Sequence, residues 1–431
     1  MRIRLNRFSY SVLLYLLTPF ILLRLIVRSI KAPAYAARWA ERFGLVSRMQ
    51  NKSQTIWVHA VSVGETIAAI PLIKQLQLRY PHHRLLVTNM TPTGSDRVVA
   101  TFGDSVSHCY APYDMPDAVA RFLKRTNPQM LVIMETELWP NTIAACEKRQ
   151  IPVILANARL SEKSALGYRR VLGLTSPMLG RLTKVAAQHS DDGERFIALG
   201  LPQANLTITG NIKFDLDITA QMRADAEALL KAWRGDSQRK ILLVASTHRG
   251  EDEIILRAFG EIKHRHPSAL LVLVPRHPER FNDVADQAQA AGFVVARHSV
   301  RDDCLSADVV IGDTMGELMT FYGACDVAFV GGSLVTNGGH NMIEPAAWGK
   351  PVLSGPHLFN FAEVSSLLLS SGGMLISRDA QELATTVVEL FDHEARLQEM
   401  GDQALSVAEA NRGALDKLLH IVEQALPAPK R

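Results

Sequence analysis

The feature that most constrains the fold of this chain is an alternation of short apolar runs with helix-length segments. The apolar runs lack the strict period-two pattern of half-buried strands and are typical of parallel strands covered on both faces. The alternation occurs in two rounds, separated by a polar segment at about residues 215–239. The predicted strands are 55–63, 83–90, 105–113, 130–136, 151–158, 184–188 and 206–211, then 240–247, 269–275, 292–297, 307–313, 325–332, 351–355 and 372–377.

The length of the chain favours two domains, because 431 residues exceed the ~100–200 residues that one domain usually holds. We therefore predict an α/β protein with two Rossmann-like doubly wound domains. Their ligand is expected in a cleft where the strand ends of both domains face each other. The predicted boundaries are 1–37 for an N-terminal membrane anchor, 38–217 for the first domain, 218–239 for an interdomain linker and 240–431 for the second domain with C-terminal helices.

The N-terminal segment predicts a membrane anchor, because residues 9–23 (SYSVLLYLLTPFILL) are almost wholly apolar. A cleaved signal peptide is the alternative, since APAYA at 33–37 resembles a cleavage site. Arg24, Arg28 and Lys31 lie before that site, where a signal peptide normally has uncharged residues. A retained anchor is therefore favoured, either spanning the bilayer or lying in its interface. The excess of basic residues after the apolar run predicts that the bulk of the chain is cytoplasmic.

Composition excludes several classes of protein. The net charge is only +4, and no stripe of basic residues interleaved with aromatics indicates nucleic-acid binding. The four cysteines are scattered and form no C-x-x-C pair, which fits a reducing compartment and disfavours a zinc site or a disulfide framework. No metal or cofactor is predicted.

The first strand of each round lacks the motifs of common nucleotide enzymes. These strands run into VSVGETIAA and VASTHRGEDE, neither of which contains G-x-G-x-x-G. A phosphate-binding P-loop, H-E-x-x-H and G-x-S-x-G are also absent from the sequence. A dinucleotide-dependent oxidoreductase is therefore disfavoured.

Polar and glycine-rich loops follow the strands of the second round. They include VPRHPERF, IGDTMGELMTFY and GGSLVTNGGHNMIEPAAW. Loops of this kind before a helix expose backbone N–H groups, which hold anions together with the helix dipole. The second domain is therefore predicted to bind the phosphate of a nucleotide.

The motifs of the whole chain resemble those of the bacterial 3-deoxy-D-manno-octulosonic acid (Kdo) transferases. The matching stretches, in order, are HAVSVGET, TPTGSDR, METELWPN, NARLS, GNIKFD, VPRHPERF, GDTMGELMTFYG and GGSLV-x-x-GGHN-x-x-E. The resemblance implies a GT-B glycosyltransferase that transfers Kdo from CMP-Kdo to a lipid A precursor (lipid IVA) with inversion. It also implies a place at the cytoplasmic side of the inner membrane, in contact with its lipids.

The resemblance assigns three catalytic residues in the first domain. Glu65 would be the general base that takes the acceptor hydroxyl proton, and we expect the helix dipole to keep its carboxylate ionised at neutral pH. Glu135 and Lys213 would stabilise the transition state, with the lysine charge offsetting the negative charge of the departing CMP. The local sequence pattern alone is also typical of an ordinary glutamate in the first turn of a helix.

The resemblance also assigns the contacts to CMP, all in the second domain. Arginine suits the phosphate because its donors form a planar fork, and a carboxylate suits the vicinal hydroxyls of ribose. His277, His340 and Ser333 are weaker candidates, since a structural histidine is the commoner case. The assigned CMP contacts are Pro275, Arg276, Met315, Gly316, Glu317, Asn341, Met342, Ile343 and Glu344.

Two alternatives remain open at the level of the sequence. Another GT-B enzyme, a transferase or epimerase that uses a UDP-sugar, would share the architecture and would be inhibited by UDP instead of CMP. A membrane-tethered sugar-binding protein would need the cleft but no base, so that replacing Glu65 would leave its function intact.

Overall fold

The computed structural model describes residues 5–49, 54–300 and 304–426 and divides into two compact units. The first unit contains the chain up to Asp215 together with the segment from Arg412 onward, and the second contains Leu216–Asn411. Each unit holds one seven-stranded parallel sheet, so every predicted strand is present and the predicted fold class is confirmed.

The sheet of the first unit has the strand order β3-β2-β1-β4-β5-β6-β7, and neighbouring strands pair in parallel throughout. Every residue of its central strand β1 is buried, because helices cover both faces. The strands are β1 Thr55–His59, β2 Arg84–Asn89, β3 Ser107–Tyr110, β4 Pro128–Met134, β5 Val153–Ala158, β6 Lys184–Ala187 and β7 Leu206–Ile208.

The helices of the first unit that lie before residue 216 connect these strands, apart from the N-terminal helix that precedes the sheet. They are α1 Arg7–Lys31, α2 Val63–Arg79, α3 Pro92–Phe102, α4 Pro116–Thr126, α5 Pro140–Lys148, α6 Glu162–Arg170, α7 Leu172–Leu179 and α8 Ser190–Ala198. Helix α1 is long and apolar enough to cross a membrane by length and composition.

One face of α1 packs along the first unit. Near its beginning, Ser11 Oγ lies 3.1 Å from Asn141 Oδ1, and Tyr15 donates to Asp117 at 2.5 Å. Near its end, Leu25 is buried. The opposite face is apolar and exposed, and it includes Phe8, Val12, Leu13, Leu16, Phe20, Leu23 and Ile30.

The second unit repeats the doubly wound design with the strand order β10-β11-β9-β8-β12-β13-β14. Its strands are β8 Ile241–Thr247, β9 Leu270–Pro275, β10 Val295–Arg297, β11 Val309–Ile311, β12 Val327–Val330, β13 Val352–Ser354 and β14 Met374–Ile376. Its helices are α9 Ala220–Arg234, α10 Asp252–Arg265, α11 Phe281–Ala290, α12 Leu318–Gly323, α13 Ile343–Ala347, α14 Ala362–Ser371, α15 Ala380–Asp392 and α16 Glu394–Ala410.

The structure corrects the predicted domain boundaries at two places. The predicted linker 218–239 consists largely of α9, which belongs to the second unit and buries Trp233 in its core. The last helix, α17 (Ala414–Ala425), was predicted in the second domain but belongs to the first unit. The physical reason is that its apolar face, with Leu418 and Val422, completes the core beside β1 and α2.

Candidate active site

The strand order of the first unit places two predicted catalytic residues at one point of its sheet. The chain runs from β1 to β2 and β3 on one side and then crosses to β4 on the other, so the order reverses between β1 and β4. Ligands of open α/β sheets bind outside the carboxyl ends of the strands at such a switch point. Glu65 follows β1, and Glu135 follows β4 directly.

Glu65 is the third residue of α2 and takes part in a capping box with Ser62. Its carboxylate accepts hydrogen bonds from Val61 N at 2.8 Å, Ser62 N at 3.2 Å and Ser62 Oγ at 2.7 Å. These contacts fix the carboxylate against the strand end of β1. Its helix-capping role is therefore real, and it accompanies a position at the switch point.

The electrostatics of Glu65 differ from the prediction that the helix dipole keeps it ionised. Burial raises the pKa of Glu65 to about 7. The hydrogen bonds from Ser62 and Val61 favour the ionised form, whereas the nearby carboxylates of Glu137 and Glu135 disfavour it. Desolvation outweighs the favourable contacts, so Glu65 titrates near neutral pH, where a general base is most effective.

Glu135 and Lys213 are brought together by the fold, although they lie far apart in the sequence. Lys213 Nζ lies 3.2 Å from Glu135 Oε1. Lys213 follows a short turn in which Ile212 N donates to Asn157 Oδ1 at 3.1 Å, beside the end of β5. Glu135 itself has φ +55°, an uncommon conformation for a side-chain-bearing residue and one that clusters at functional sites.

Sequence reasoning missed a buried histidine beside this site. His59 ends β1, and its Nδ1 lies 2.9 Å from Thr88 Oγ1. The ring packs edge-on against Trp139 at 5.2 Å, and a small pocket is lined by both residues together with Glu137. The sequence signal for His59 was its position in HAVSVGET, because the strand that contains it was already predicted to end at the site.

In the second unit the strand order reverses between β8 and β12. Pro275 ends β9, the other neighbour of β8, and Arg276 follows it with an exposed side chain. Arg276 forms no ion pair within the part of the chain that the structure describes. Its N–H donates to Thr247 O at 3.0 Å beside the end of β8, and its guanidinium lies within electrostatic range of His340 and Glu344.

The segment from Asn341 to Glu344 opens α13. Asn341 Nδ2 donates to Glu344 Oε1 at 3.1 Å, and burial raises the pKa of Glu344 to about 7. The side chains of Met342 and Ile343 are fully buried. These two residues can therefore offer only backbone groups to a nucleotide, whereas Asn341 and Glu344 can offer side chains.

The third predicted donor segment precedes α12. Met315 is largely exposed, and Gly316 has φ +91°, a conformation that favours glycine. Glu317 lies 3.4 Å from His298 Nε2. The segment thus presents an exposed apolar side chain and a tight turn.

The glycine-rich loop after β12 was predicted to bind an anion through its backbone N–H groups. In the structure these N–H groups donate hydrogen bonds to a carboxylate of the same unit. Glu251 is completely buried and accepts from Gly332 N at 2.7 Å and from Ser333 N and Leu334 N at 2.9 Å. It also accepts from His248 N at 2.9 Å. The loop is therefore held to the end of β8, and these N–H groups cannot serve a phosphate. The acidic HRGEDE stretch after β8 was the sequence signal for this residue.

Comparisons with known proteins agree on the family and on the fold. Residues 37–216 match the family model described as 3-deoxy-D-manno-octulosonic-acid transferase (kdotransferase). The structure of UDP-GlcNAc 2-epimerase from Neisseria meningitidis covers 86% of this chain and 100% of its own at 14% identity, with a TM-score of 0.55. At that identity the likeness shows the fold alone, which is the two-domain GT-B type.

Curated relatives show the family over the full chain. The 3-deoxy-D-manno-octulosonic acid transferase of Haemophilus influenzae is 44% identical over 423 residues, covering 97% of this chain and 99% of the relative. The enzyme of the same name from Bordetella pertussis is 38% identical, covering 86% and 87%. The chain therefore belongs to the 3-deoxy-D-manno-octulosonic acid transferase family of glycosyltransferases.

Proposed function

We propose that this enzyme transfers Kdo from CMP-Kdo to a hydroxyl of a lipid A precursor, lipid IVA, in the assembly of lipopolysaccharide. The observation that carries the proposal is Glu65, a largely buried carboxylate at the switch point of the first unit whose pKa lies near 7. A group with these properties can accept a proton at neutral pH and keep it while the new bond forms.

The proposed step is a direct displacement with inversion. Glu65 removes the proton from the acceptor hydroxyl as its oxygen attacks the anomeric carbon of Kdo. The bond between that carbon and the phosphate oxygen breaks, and CMP leaves with the electron pair. Lys213, oriented by its contact with Glu135 at 3.2 Å, offsets the negative charge that develops on the leaving group.

The donor is proposed to bind the second unit. Arg276 has an exposed guanidinium and no ion pair among the described residues, so it is available to the phosphate. Asn341 and Glu344 are proposed to face the ribose, and the segment Met315–Glu317 is proposed to contact the nucleotide. Pro275, Met342 and Ile343 would contribute through their backbones.

We further propose that α1 holds the enzyme at the cytoplasmic face of the inner membrane by lying in the interface. Its contacts with the first unit begin at Ser11, and Arg24 still acts electrostatically on Tyr113 of that unit, ~20 Å further along the helix. A helix held against a water-soluble unit over that length cannot cross ~30 Å of hydrocarbon. Its opposite, apolar face can enter the headgroup region.

The decisive experiment measures product mass after incubation with CMP-Kdo and lipid IVA. Wild type is expected to form product, and the mass gives the number of Kdo residues added. Glu65→Ala and Glu65→Gln are expected to lose turnover while still binding CMP. Near-normal turnover in both variants would exclude Glu65 as the base.

The chain offers a matched control in Glu382. It is also the third residue of a helix, α15, its N–H donates to the Asp379 cap, and its carboxylate accepts from Arg378 N at 2.9 Å. Glu382→Ala removes the same capping contact from a half-exposed site, Glu382→Gln keeps a side-chain acceptor there, and both variants should retain full turnover. Inhibition by UDP instead of CMP would point to a UDP-sugar enzyme. Sugar binding without any turnover in wild type would point to a binding protein.

A further inference from the structure

Three imidazoles meet at the carboxyl ends of the central strands of the second unit. His248 follows β8, His277 follows β9 and His340 lies in the loop after β12. His248 Nε2 lies 2.8 Å from His340 Nε2, with the ring planes 6° apart. The ring of His277 is 5.5 Å from that of His248. Because β8 and β12 flank the reversal of strand order, the His248–His340 pair lies where such sheets bind ligands.

The pair keeps hydrogen-bonding capacity for a ligand. Two nitrogens at this distance share one proton, so one ring donates to the other. Neither Nδ1 atom has a hydrogen-bond partner within residues 54–300 and 304–426. Burial lowers the pKa of both rings, to about 4 for His340, so the unliganded pair is neutral. One free Nδ1 is then a donor, and uptake of a proton by the pair would make the second a donor as well.

The surroundings of the pair favour an anion. Arg276 is exposed and acts electrostatically on both His248 and His340. Arg280, by contrast, is already engaged by Asp252 and by the carbonyl oxygen of Thr247. The nearby carboxylate of Glu251 is saturated by four backbone N–H groups.

The same Glu251 fixes the spacing of the pair. It accepts from His248 N and from Gly332 N, and Gly332 packs directly against the ring of His340. A β-carbon at Gly332 would lie 2.9 Å from that ring. Glu251 is thus a positioning residue that joins the loops after β8 and β12.

The proposed donor carries two anionic groups on one carbon. In a 2-ulosonic acid the carboxylate is bonded to the anomeric carbon, which also carries the phosphate ester. Two adjacent anion sites are therefore needed, and the second unit has two candidates at the end of β8: the imidazole pair, and Arg276, whose N–H donates to Thr247 O, next to His248, at 3.0 Å. We propose that the His248–His340 pair binds the carboxylate of the sugar acid while Arg276 faces the phosphate. The proposal rests on CMP-Kdo being the donor.

The test separates the two anions by comparing KM for CMP-Kdo with the inhibition constant Ki of CMP, which has the phosphate but no sugar carboxylate. The variants are His248→Ala and His340→Ala in the full chain, with exposed His264→Ala as the control. Loss of a hydrogen bond to a charged group should raise KM about tenfold or more. Ki for CMP should stay within about twofold of wild type, which also shows that the variant is folded.

Each outcome of the KM and Ki comparison either supports or overturns the proposed carboxylate site. A parallel rise of KM and Ki would assign the pair to the phosphate and overturn the proposal, as would an unchanged KM or a loss confined to kcat. His340→Gln, which keeps a side-chain donor, should recover part of the lost affinity for CMP-Kdo and provides a second variant should alanine destabilise the unit. If CMP-Kdo is not the donor, wild type itself will not turn over CMP-Kdo. That result differs from failure of the carboxylate proposal, in which wild type is active and the histidine variants keep the wild-type KM.

Discussion

At the residue scale, Glu65 illustrates how competing contacts set the pKa of a base. Burial raises its pKa to about 7, although the Ser62 hydroxyl and the Val61 N–H both favour the ionised form. Between the ordinary pKa of a glutamate and about pH 7, the folded protein keeps a proton on Glu65 that an unfolded chain would release. Only the ionised carboxylate can act as the base, so the base is lost as the pH falls below about 7. The activity of wild type should decline on the acidic side with this apparent pKa.

Ser62→Ala should move that decline to higher pH. The variant removes a hydrogen bond that stabilises the carboxylate, so the pKa of Glu65 rises further and the ionised base is lost sooner on acidification. The measurement is kcat/KM against pH. Thr219→Ala, which removes the cap of α9 at 3.1 Å, controls for the loss of a helix cap. An unchanged pH profile for Ser62→Ala would show that the acidic decline of activity does not arise from titration of Glu65.

Lys213 should act on the chemical step more than on donor binding. Lys213→Gln removes the charge proposed to stabilise the leaving group, so kcat should fall about 10²–10³-fold with a smaller change in KM. Lys213→Arg retains the charge and the contact with Glu135 and should recover part of the rate. A large rise in KM at constant kcat would instead make Lys213 a binding residue. Lys231→Gln on α9 is the control.

At the element scale, α1 combines a face that packs on the first unit with an apolar face that is exposed. Leu16→Glu with Phe20→Glu should lower the fraction of enzyme that floats with anionic vesicles, because both residues belong to the exposed face. Leu78→Glu, at a similarly exposed site on α2, should not change it. Equal binding by all variants would assign the membrane contact to another surface.

An in-plane α1 also fixes the side on which the N-terminus lies. A tag before residue 5 should be cleaved by protease in inverted membrane vesicles and protected in spheroplasts, as expected when both ends of the helix stay on one side. Cleavage in spheroplasts would show that α1 spans the bilayer.

At the scale of the whole molecule, the sequence predicted the strands well and the destinations of peripheral helices poorly. Buried parallel strands are continuous apolar runs, so their positions are visible locally. The apolar face of α17 is equally visible in the sequence, but the local pattern does not indicate which of the two sheets this helix covers. The contacts of Glu251 and the pKa of Glu65 were hidden for a related reason, since both depend on groups that are brought close only by folding.

The return of α17 to the first unit predicts how the chain can be divided. Residues 216–411 form one continuous unit with its own buried cores. Expressed alone, this fragment should fold and bind CMP, as judged by a cooperative thermal transition that CMP shifts upward.

The complementary fragment 1–215 should fail to fold, because it lacks the buried side chains Ala414, Leu418 and Val422. Each large apolar side chain missing from a core costs about 2–5 kcal/mol, which together approaches the whole stability of a domain. Joining residues 412–431 to residue 215 through a flexible linker should restore a cooperative transition. The same joined chain with Leu418→Asp should not show one, because a charge then enters the core. A stable 1–215 fragment would show instead that α17 is dispensable to the first unit.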